Sequence, residues 1–242
     1  MQIVRYGNKV NKVKFFYDMH IHSDLSPCGS EDMTPNNIVN MSCIKGLDII
    51  SVTDHNAADN LPAVMELCNS SGIEFVPGIE VTTREEVHVL CYFKDIFSAL
   101  KFGDLIYNSL PDIPNTPSIF GQQNIYNSKD EITGTLNKLL ISTSSFSLIE
   151  IYSLTEQYHG IMIPAHINKK SNGLLGVLGF IPSNISLKFV EVYTKADIDE
   201  ELIKNLNILK NSDAHYLADI SEAENCFELN SLEEVYNYLC IK

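Results

Sequence analysis

Apolar and polar positions along the chain switch repeatedly between a two-residue and a helical period. Val13-Lys14-Phe15-Phe16-Tyr17-Asp18 reads as a strand that runs into histidines. Thr34-Pro35 then places an N-cap residue before a proline at the first helical position, and Gly46 closes that helix. Leu47 to Val52 is a near-continuous apolar run, the pattern of a strand buried on both faces. A helix is predicted over Leu61 to Ser70, ending near Gly72, followed by strands at Ile73 to Val76 and Val87 to Phe93.

After Asp95 the pattern loosens. A helix is predicted from Asp95 to Leu110, and Pro111 to Asn127 carries three prolines with a single charge, Asp112. A loop of that length inside a domain is usually functional or mobile. Helices are expected over Lys129 to Leu140 and Ser147 to Tyr158. Strands follow at Ile161 to Ile163, Phe189 to Val192, Ile208-Leu209 and Cys226 to Leu229. A last helix, Leu232 to Leu239, has Ser231 as its expected N-cap and Glu234 at the capping-box position. No repeat, charge block or linker divides the chain, so residues 1–242 read as one parallel α/β domain of barrel-like type.

Composition narrows the classes. A chain of 242 residues with 45% hydrophobic and 20% charged positions can bury a sizeable core. The net charge of −14 argues against a surface that binds extended nucleic acid or anionic lipid. Six cysteines at 28, 43, 68, 91, 226 and 240 form no CxxC pair. Met1 to Asn11 is polar and mixed, and no apolar run reaches the roughly 18 residues that a membrane span needs. A reduced, cytoplasmic protein without membrane contact is expected.

The chemistry gathers at strand ends, where open parallel folds build their sites. In Asp18-Met19-His20-Ile21-His22 the two histidines share one side of a strand and can hold one metal ion. Thr53-Asp54-His55 ends the next strand, although a helix N-cap uses the same residue types. Gly78-Ile79-Glu80 is followed eight residues later by His88, and a carboxylate such as Glu80 can bridge two cations where an imidazole cannot. Pro164-Ala165-His166 and Ser212-Asp213-Ala214-His215 complete the series. Six of the seven histidines therefore fall in or at the end of strands; His159, beside Gly160, suits a helix C-terminus instead. Imidazole and acidic ligands without cysteine pairs indicate a catalytic, hydrolytic site and not a structural zinc site.

These ordered motifs resemble the polymerase and histidinol phosphatase (PHP) family, from about residue 15 to residue 220. The stretch Leu25 to Gly29, with Asp32-Met33-Thr34-Pro35, looks like a bacterial branch of small stand-alone metal-dependent phosphoesterases. The resemblance implies a distorted (β/α)7 barrel with up to three divalent metals at its C-terminal mouth. It implies that His20, His22, Glu80 and Asp213 hold the first metal and that Glu80 bridges to a second, bound also by His88 and His166. A third would take His55, His215 and one residue of the loop after His22. There the chain departs from the family: Cys28 occupies the family spacing and Asp24 is the alternative. A thiolate favours zinc or iron, and Asp24 would suit manganese or iron. Two to three ions of zinc, manganese or iron are thus the expected cofactors.

Glu80, Asp213 and His215 are the expected catalytic positions. Asp18 and Asp54 are expected to orient ligand histidines through their second ring nitrogen, against a plain capping role. Lys169, Lys170 and Arg84 follow motif residues and are candidate phosphate contacts, against ordinary surface solvation. Hydrolysis of a small phosphate ester, of nucleotide or sugar-phosphate type, is the expected activity. The alternatives are a histidinol-phosphatase-type or 3′-5′ exonuclease activity in the same fold, or a non-catalytic metal-binding module. The amidohydrolase barrel also opens with HxH but expects a bridging lysine where this chain has Glu80.

Overall fold

The computed structural model describes residues 12–240; the polar Met1 to Asn11 segment lies outside the described residues. The first half comprises β1 (Val13–Ile21), α1 (Pro35–Ile44), β2 (Ile49–Val52), α2 (Leu61–Ser71), β3 (Glu74–Phe75), β4 (Gly78–Thr82), β5 (His88–Phe93) and α3 (Ile96–Ser109). Then come α4 (Pro117–Phe120), β6 (Asn124–Tyr126), β7 (Ile132–Thr135), α5 (Leu148–Gln157), β8 (Gly160–Pro164) and α6 (Leu174–Leu178). The chain ends with β9 (Phe189–Glu191), α7 (Glu200–Ile203), β10 (Asn207–Leu209), β11 (Cys226–Leu229) and α8 (Val235–Leu239).

Local chemistry sets several of these boundaries. Thr34 caps α1 by accepting from the Asn37 amide, with Pro35 in the first turn. Gly72 closes α2 at φ 75°, a left-handed turn that glycine adopts without a Cβ penalty. Ser147 and Glu150 form a reciprocal capping box on α5. The box expected at Ser231 and Glu234 is absent, because Glu234 instead accepts from the backbone and side-chain amides of Asn230.

A mixed α/β fold is present, but its strands lie in four separate sheets and no closed barrel forms among the described residues. β1, β2 and β3 are parallel, as are β9 and β10, while β11 pairs antiparallel with β1. β5 runs antiparallel to both β4 and β8, which corrects the expectation of an all-parallel arrangement. Single bridges, Ile21 to Ala214 and His55 to Glu80, link strand ends of different sheets. Below those ends sits an apolar plug. Met19, Ile49, Leu90, Tyr92, Ile163, Phe189 and Leu209 meet there, each from a strand of one of three sheets. A larger core packs α1, α2, α3 and α5 over the outside of the strands.

The segment between α3 and α5 departs most from the sequence expectation. Residues 129–140 do not form a helix: β7 pairs with β6 as a hairpin, and Pro111 to Asn127 contains α4 and β6. Ile132, Thr133 and Thr135 favour extended backbone, and Gly134 weakens a helix further. The hairpin is fastened to the rest of the fold. Thr34 and Asn36 donate to Asp130, and the Asn60 side chain bonds the backbone of Asn124 and Tyr126. Among the described residues no helix is long and apolar enough to cross a membrane.

Candidate metal centre

β1 is the pillar of the site. His20 and His22 lie two residues apart and bring their Nε2 atoms within 3.1 Å of each other. Asp213 Oδ1 stands 3.3 Å from both of these nitrogens. It follows β10 at φ 56°, and His166 follows β8 at φ 27°, two non-glycine residues held in left-handed backbone at the mouth. Glu80, fully buried on β4, lies at the centre. Its Oε1 is 2.9 Å from His88 Nδ1, 3.1 Å from His166 Nε2 and 3.4 Å from His20 Nε2. Its Oε2 is 3.0 Å from His55 Nδ1 and 3.4 Å from His22 Nε2. His88 comes from the start of the reversed strand β5, so that strand's N-terminal end reaches the same mouth as the C-terminal ends of its neighbours. His215 stacks on His22 with ring centroids 4.2 Å apart.

The donor set fits divalent cations. Three groups place their ligand atoms within 4.8 Å of one another: His20, His22 and Asp213; His55, Glu80 and His88; His22, His55 and His215. Glu80 Oε2, His55 Nδ1 and His166 Nδ1 are buried with no aligned hydrogen-bond partner, although the first two are close together. Buried polar atoms left in this state are costly unless something else fills them. Imidazoles and carboxylates are the ligands expected of zinc, manganese or iron.

Without a cation, the same groups share protons. Burial acts against charge on His20, but Glu191, Asp213 and Glu80 outweigh it and hold its pKa well above the ordinary imidazole value. Burial opposes charge on His22 as well, yet Asp213 and Glu80 raise it to about 9. Burial and His22 act downward on His55, where Glu80 and Cys28 prevail and raise it to about 9. His215 is pushed down to about 3 by burial and by His22. Glu80, though buried, is held well below the carboxylate range by His88, His20 and His55.

The remaining candidates separate. Asp54 accepts from the Ser23 amide and hydroxyl and from Ser26 Oγ at 2.7 Å, and Ser26 Oγ in turn meets His22 Nδ1 at 2.9 Å. It therefore orients a histidine through a serine. Asp18 touches no imidazole ring, which corrects its expected role: its oxygens accept from the backbone amides of Ser212, Ser221 and His20. Lys169 pairs with Asp213 and lies over the Tyr193 ring, 4.8 Å from its centroid. Lys170 is exposed. Arg84 is also turned away from the ligands, toward the Ser145 carbonyl and Glu150 at the start of α5. Cys28 is exposed, acts to raise the pKa of His55, and belongs to none of the ligand groups. Asp24 belongs to none of the ligand groups; Asn124 and Tyr126 of the hairpin donate to its Oδ2 at 2.6 Å each, and its buried Oδ1 has no hydrogen-bond partner. His159 takes left-handed backbone just after α5, and its carbonyl accepts from Tyr236.

Sequence reasoning missed Ser26 and Glu191. Glu191 is a buried carboxylate at the end of β9, with both oxygens 3.0 Å from His20 Nδ1. The available signal was a glutamate inside the apolar run Phe189-Val190-Glu191-Val192, since a buried charge needs partners.

Two spaces open on the cluster. An inner pocket of about 170 Å³ is lined by His55, Glu80, His88, His166, Lys169, Asp213 and His215 among others. An outer cleft of about 530 Å³ shares Lys169, Asp213 and His215 with it and adds Tyr193, Lys195, Lys210 and Tyr216.

The family model for the PHP domain matches residues 18–225. The chain belongs to the PHP domain family. Among curated proteins none matches it. Solved structures share the fold of this PHP domain at low identity. A Bifidobacterium adolescentis protein assigned as a metal-dependent phosphoesterase is 16% identical at a TM-score of 0.62, over 90% of this chain and 94% of its own. The lesion-specific endonuclease Q of Pyrococcus furiosus is 19% identical at a TM-score of 0.59, over 85% of this chain. The PHP chain spans about half the length of that enzyme, 49% of which is covered. An endonuclease Q complex with a 27-mer duplex carrying an abasic lesion at the active site aligns at a TM-score of 0.60 and 18% identity, covering 85% of this chain and 50% of that one.

Proposed function

We propose that this PHP domain is a metal-dependent hydrolase of phosphoesters. The observation that carries the reading is Glu80: a fully buried carboxylate ringed by five imidazoles, with one oxygen that finds no aligned hydrogen-bond donor. His20, His22, Asp213 and Glu80 would hold one ion, Glu80, His88 and His166 a second, and His55 with His215 a third. Bound divalent ions supply an activated water and neutralise a phosphoryl group's charge. The protein's own part is positional. Glu80 and Asp213 set the spacing of the imidazoles, and Lys169, at the boundary of pocket and cleft, offers an ammonium to a phosphate oxygen. The inner pocket suits the reacting phosphoryl group, and the outer cleft has the volume of an ordinary ligand site for the rest of the substrate.

The expectation that the net charge of −14 disfavours extended nucleic acid needs correction. Endonuclease Q, half of whose chain shares this fold, forms a complex with a 27-mer duplex substrate that has an abasic lesion at the active site. Whole-chain charge is the wrong quantity, because bound cations and nearby lysines set the potential at the mouth. Duplex DNA therefore belongs among the substrates to be tested.

The deciding experiment gives the metal-loaded protein phosphomonoesters, cyclic nucleotides, short oligonucleotides and a duplex with an abasic site. Hydrolysis that stops on chelation and returns with zinc, manganese or ferrous iron is the expected result. Inactivity of the fully loaded protein on every substrate would favour a metal-binding module without catalysis.

A further inference from the structure

We propose that Glu191 is a positioning residue that couples two halves of the metal centre. The proposal deepens the reading of the site as a metal centre. Glu191 lies at the end of β9 and takes four hydrogen bonds from three other strand ends. Oε1 accepts from Asn211 Nδ2 at 2.7 Å, Oε2 accepts from the His166 backbone N–H at 2.8 Å, and both oxygens lie 3.0 Å from His20 Nδ1. Asn211 is itself anchored, its Oδ1 accepting from the Met19 amide next to His20.

Two consequences follow from the acceptor-only character of an ionised carboxylate. The Nδ1 atom of His20 must carry its proton toward Glu191. When the ring is neutral, Nε2 is then left as a lone pair, aimed at the point where His22 Nε2 stands 3.1 Å away and Asp213 Oδ1 3.3 Å away. That is the tautomer a cation needs and the one hydrogen bonding within the cluster would not select by itself. The second consequence concerns His166. Its backbone is held in left-handed conformation at φ 27°, and its amide is fixed by the same carboxylate. Its ring has no partner for Nδ1 among the described residues and meets Glu80 through Nε2 at 3.1 Å. One side chain thus orients His20 by its ring and His166 by its backbone, two residues whose rings stack with centroids 5.9 Å apart and both face Glu80 Oε1.

The test compares Glu191→Gln, Glu191→Asp and Asp18→Asn in the full chain. Asp18 is the control: it is equally buried and braces the same strand end through backbone amides, but touches no imidazole. Histidine side-chain 15N NMR of the metal-free protein at a pH where His20 is neutral reads its tautomer, and calorimetry with zinc reads the number and affinity of sites. In Glu191→Gln, His20 should lose its pure Nδ1–H state, and zinc affinity should fall roughly 10- to 100-fold, in line with partners of ligating histidines elsewhere. The loss should affect the His20 and His166 sites together, with partial recovery in Glu191→Asp. Asp18→Asn should lower the melting temperature while leaving the tautomer unchanged. A folded Glu191→Gln protein with the wild-type tautomer and zinc affinity would overturn the proposal. So would a loss of affinity matched by Asp18→Asn, or one confined to a single site. If the wild type binds no metal at all, the metal-centre reading itself fails, whereas the tautomer measurement still judges Glu191.

Discussion

The centre of the mouth and its wall each hold a buried glutamate, and the two are treated in opposite ways. Glu191, at the wall, has both oxygens filled by an imidazole, an amide side chain and a backbone N–H. Glu80, at the centre, is surrounded by five imidazoles, yet its Oε2 has no aligned donor, and neither has the nearby His55 Nδ1. A polar network with every valence met stiffens a fold; one with facing acceptors left unmet is a liability unless a cation enters. The comparison teaches which buried carboxylates are scaffold and which are ligand. Completeness of hydrogen bonding makes the distinction, since both residues are buried almost completely.

The largest effect should come from the centre. Glu80→Gln keeps the volume but replaces one acceptor oxygen by an NH2 group that faces imidazole nitrogens. Both proposed ion sites beside it should empty. Phosphoesterase activity should drop by more than the roughly 100-fold upper range for residues that act through a ligand. Metal analysis and turnover measured together check this. Wild-type metal content and turnover in the variant would remove Glu80 from its bridging position.

The second effect lies in the dependence of the metal-free protein on pH. His22 and His55 are raised to about 9 from an unfolded value near 6.5. Their contribution to stability is complete below about pH 6.5 and is lost as pH rises through 9. His215, lowered to about 3, acts the other way and costs stability as pH falls from 6.5 toward 3. Chelated protein should therefore melt at lower temperature at pH 9.5 than at pH 6.5, by an amount equivalent to roughly a few kcal/mol. Metal uptake must expel those same protons, so loaded and chelated melting curves should separate further as pH rises. Scanning calorimetry at three pH values, with and without zinc, measures the gap. A gap that shrinks with rising pH would show that these imidazoles do not bind the ions.

The same contrast explains what could be read from the sequence. His20 and His22 are legible from β-periodicity, and Glu80, His166, Asp213 and His215 because they lie in or after strands that the apolar pattern marks, without knowledge of tertiary contacts. Glu191 is not, because its role exists only once the ends of β1, β8, β9 and β10 meet. Asp18 shows the converse: its position before His20 suggested a ring contact, but the backbone turns its carboxylate toward Ser212 and Ser221. Residues 129–140 carry charges at 129–131 and leucines at 136, 139 and 140, a spacing that also suits a helical face. Long-range anchors at Asn36, Asn60 and Asn56 then favour extended pairing. The reversed direction of β5 was legible after all, since the five residues 83–87 that join it to β4 are too few for the crossover a parallel pair needs.

A smaller effect belongs to the wall where the hairpin meets the loop after His22. Tyr126→Phe removes the hydroxyl that donates to Asp24 at 2.6 Å and leaves that buried oxygen with Asn124 alone. Stability should fall by about 1–3 kcal/mol, the range for a buried acceptor that loses a partner. Metal content should stay unchanged, because the hydroxyl that is removed bonds only Asp24 Oδ2 and Asn124, and no ligand group includes Asp24. Urea denaturation with metal analysis reads both quantities. A loss of bound metal without a loss of stability would place Asp24 among the ligands after all.

The smallest effect concerns the third ion, and it turns on the same loop. His22, His55 and His215 already bring their ligand atoms together, and residues 23–29 offer Cys28 or Asp24 as a proposed further ligand. Asp24 spends its Oδ2 on Tyr126 and Asn124 and keeps a buried Oδ1 without a partner, whereas Cys28 is exposed and acts on the charge of His55. Gly29, next to Cys28, leaves no room for a Cβ, an ideal one standing 2.5 Å from the Ser23 carbonyl oxygen, so the backbone beside the thiol is closely packed. Cys28→Ala should therefore lower zinc occupancy by one ion at most, leave the sites around Glu80 filled, and weaken zinc more than manganese because a thiolate prefers the softer ion. Asp24→Asn should leave occupancy as in the wild type. Zinc should also slow the reaction of a thiol reagent with the wild type relative to Cys28→Ala, in which Cys43 remains as the other exposed thiol. If Cys28→Ala retains every ion and zinc gives no protection, the centre holds two ions, and the contact between Cys28 and His55 is only a packing feature of the loop.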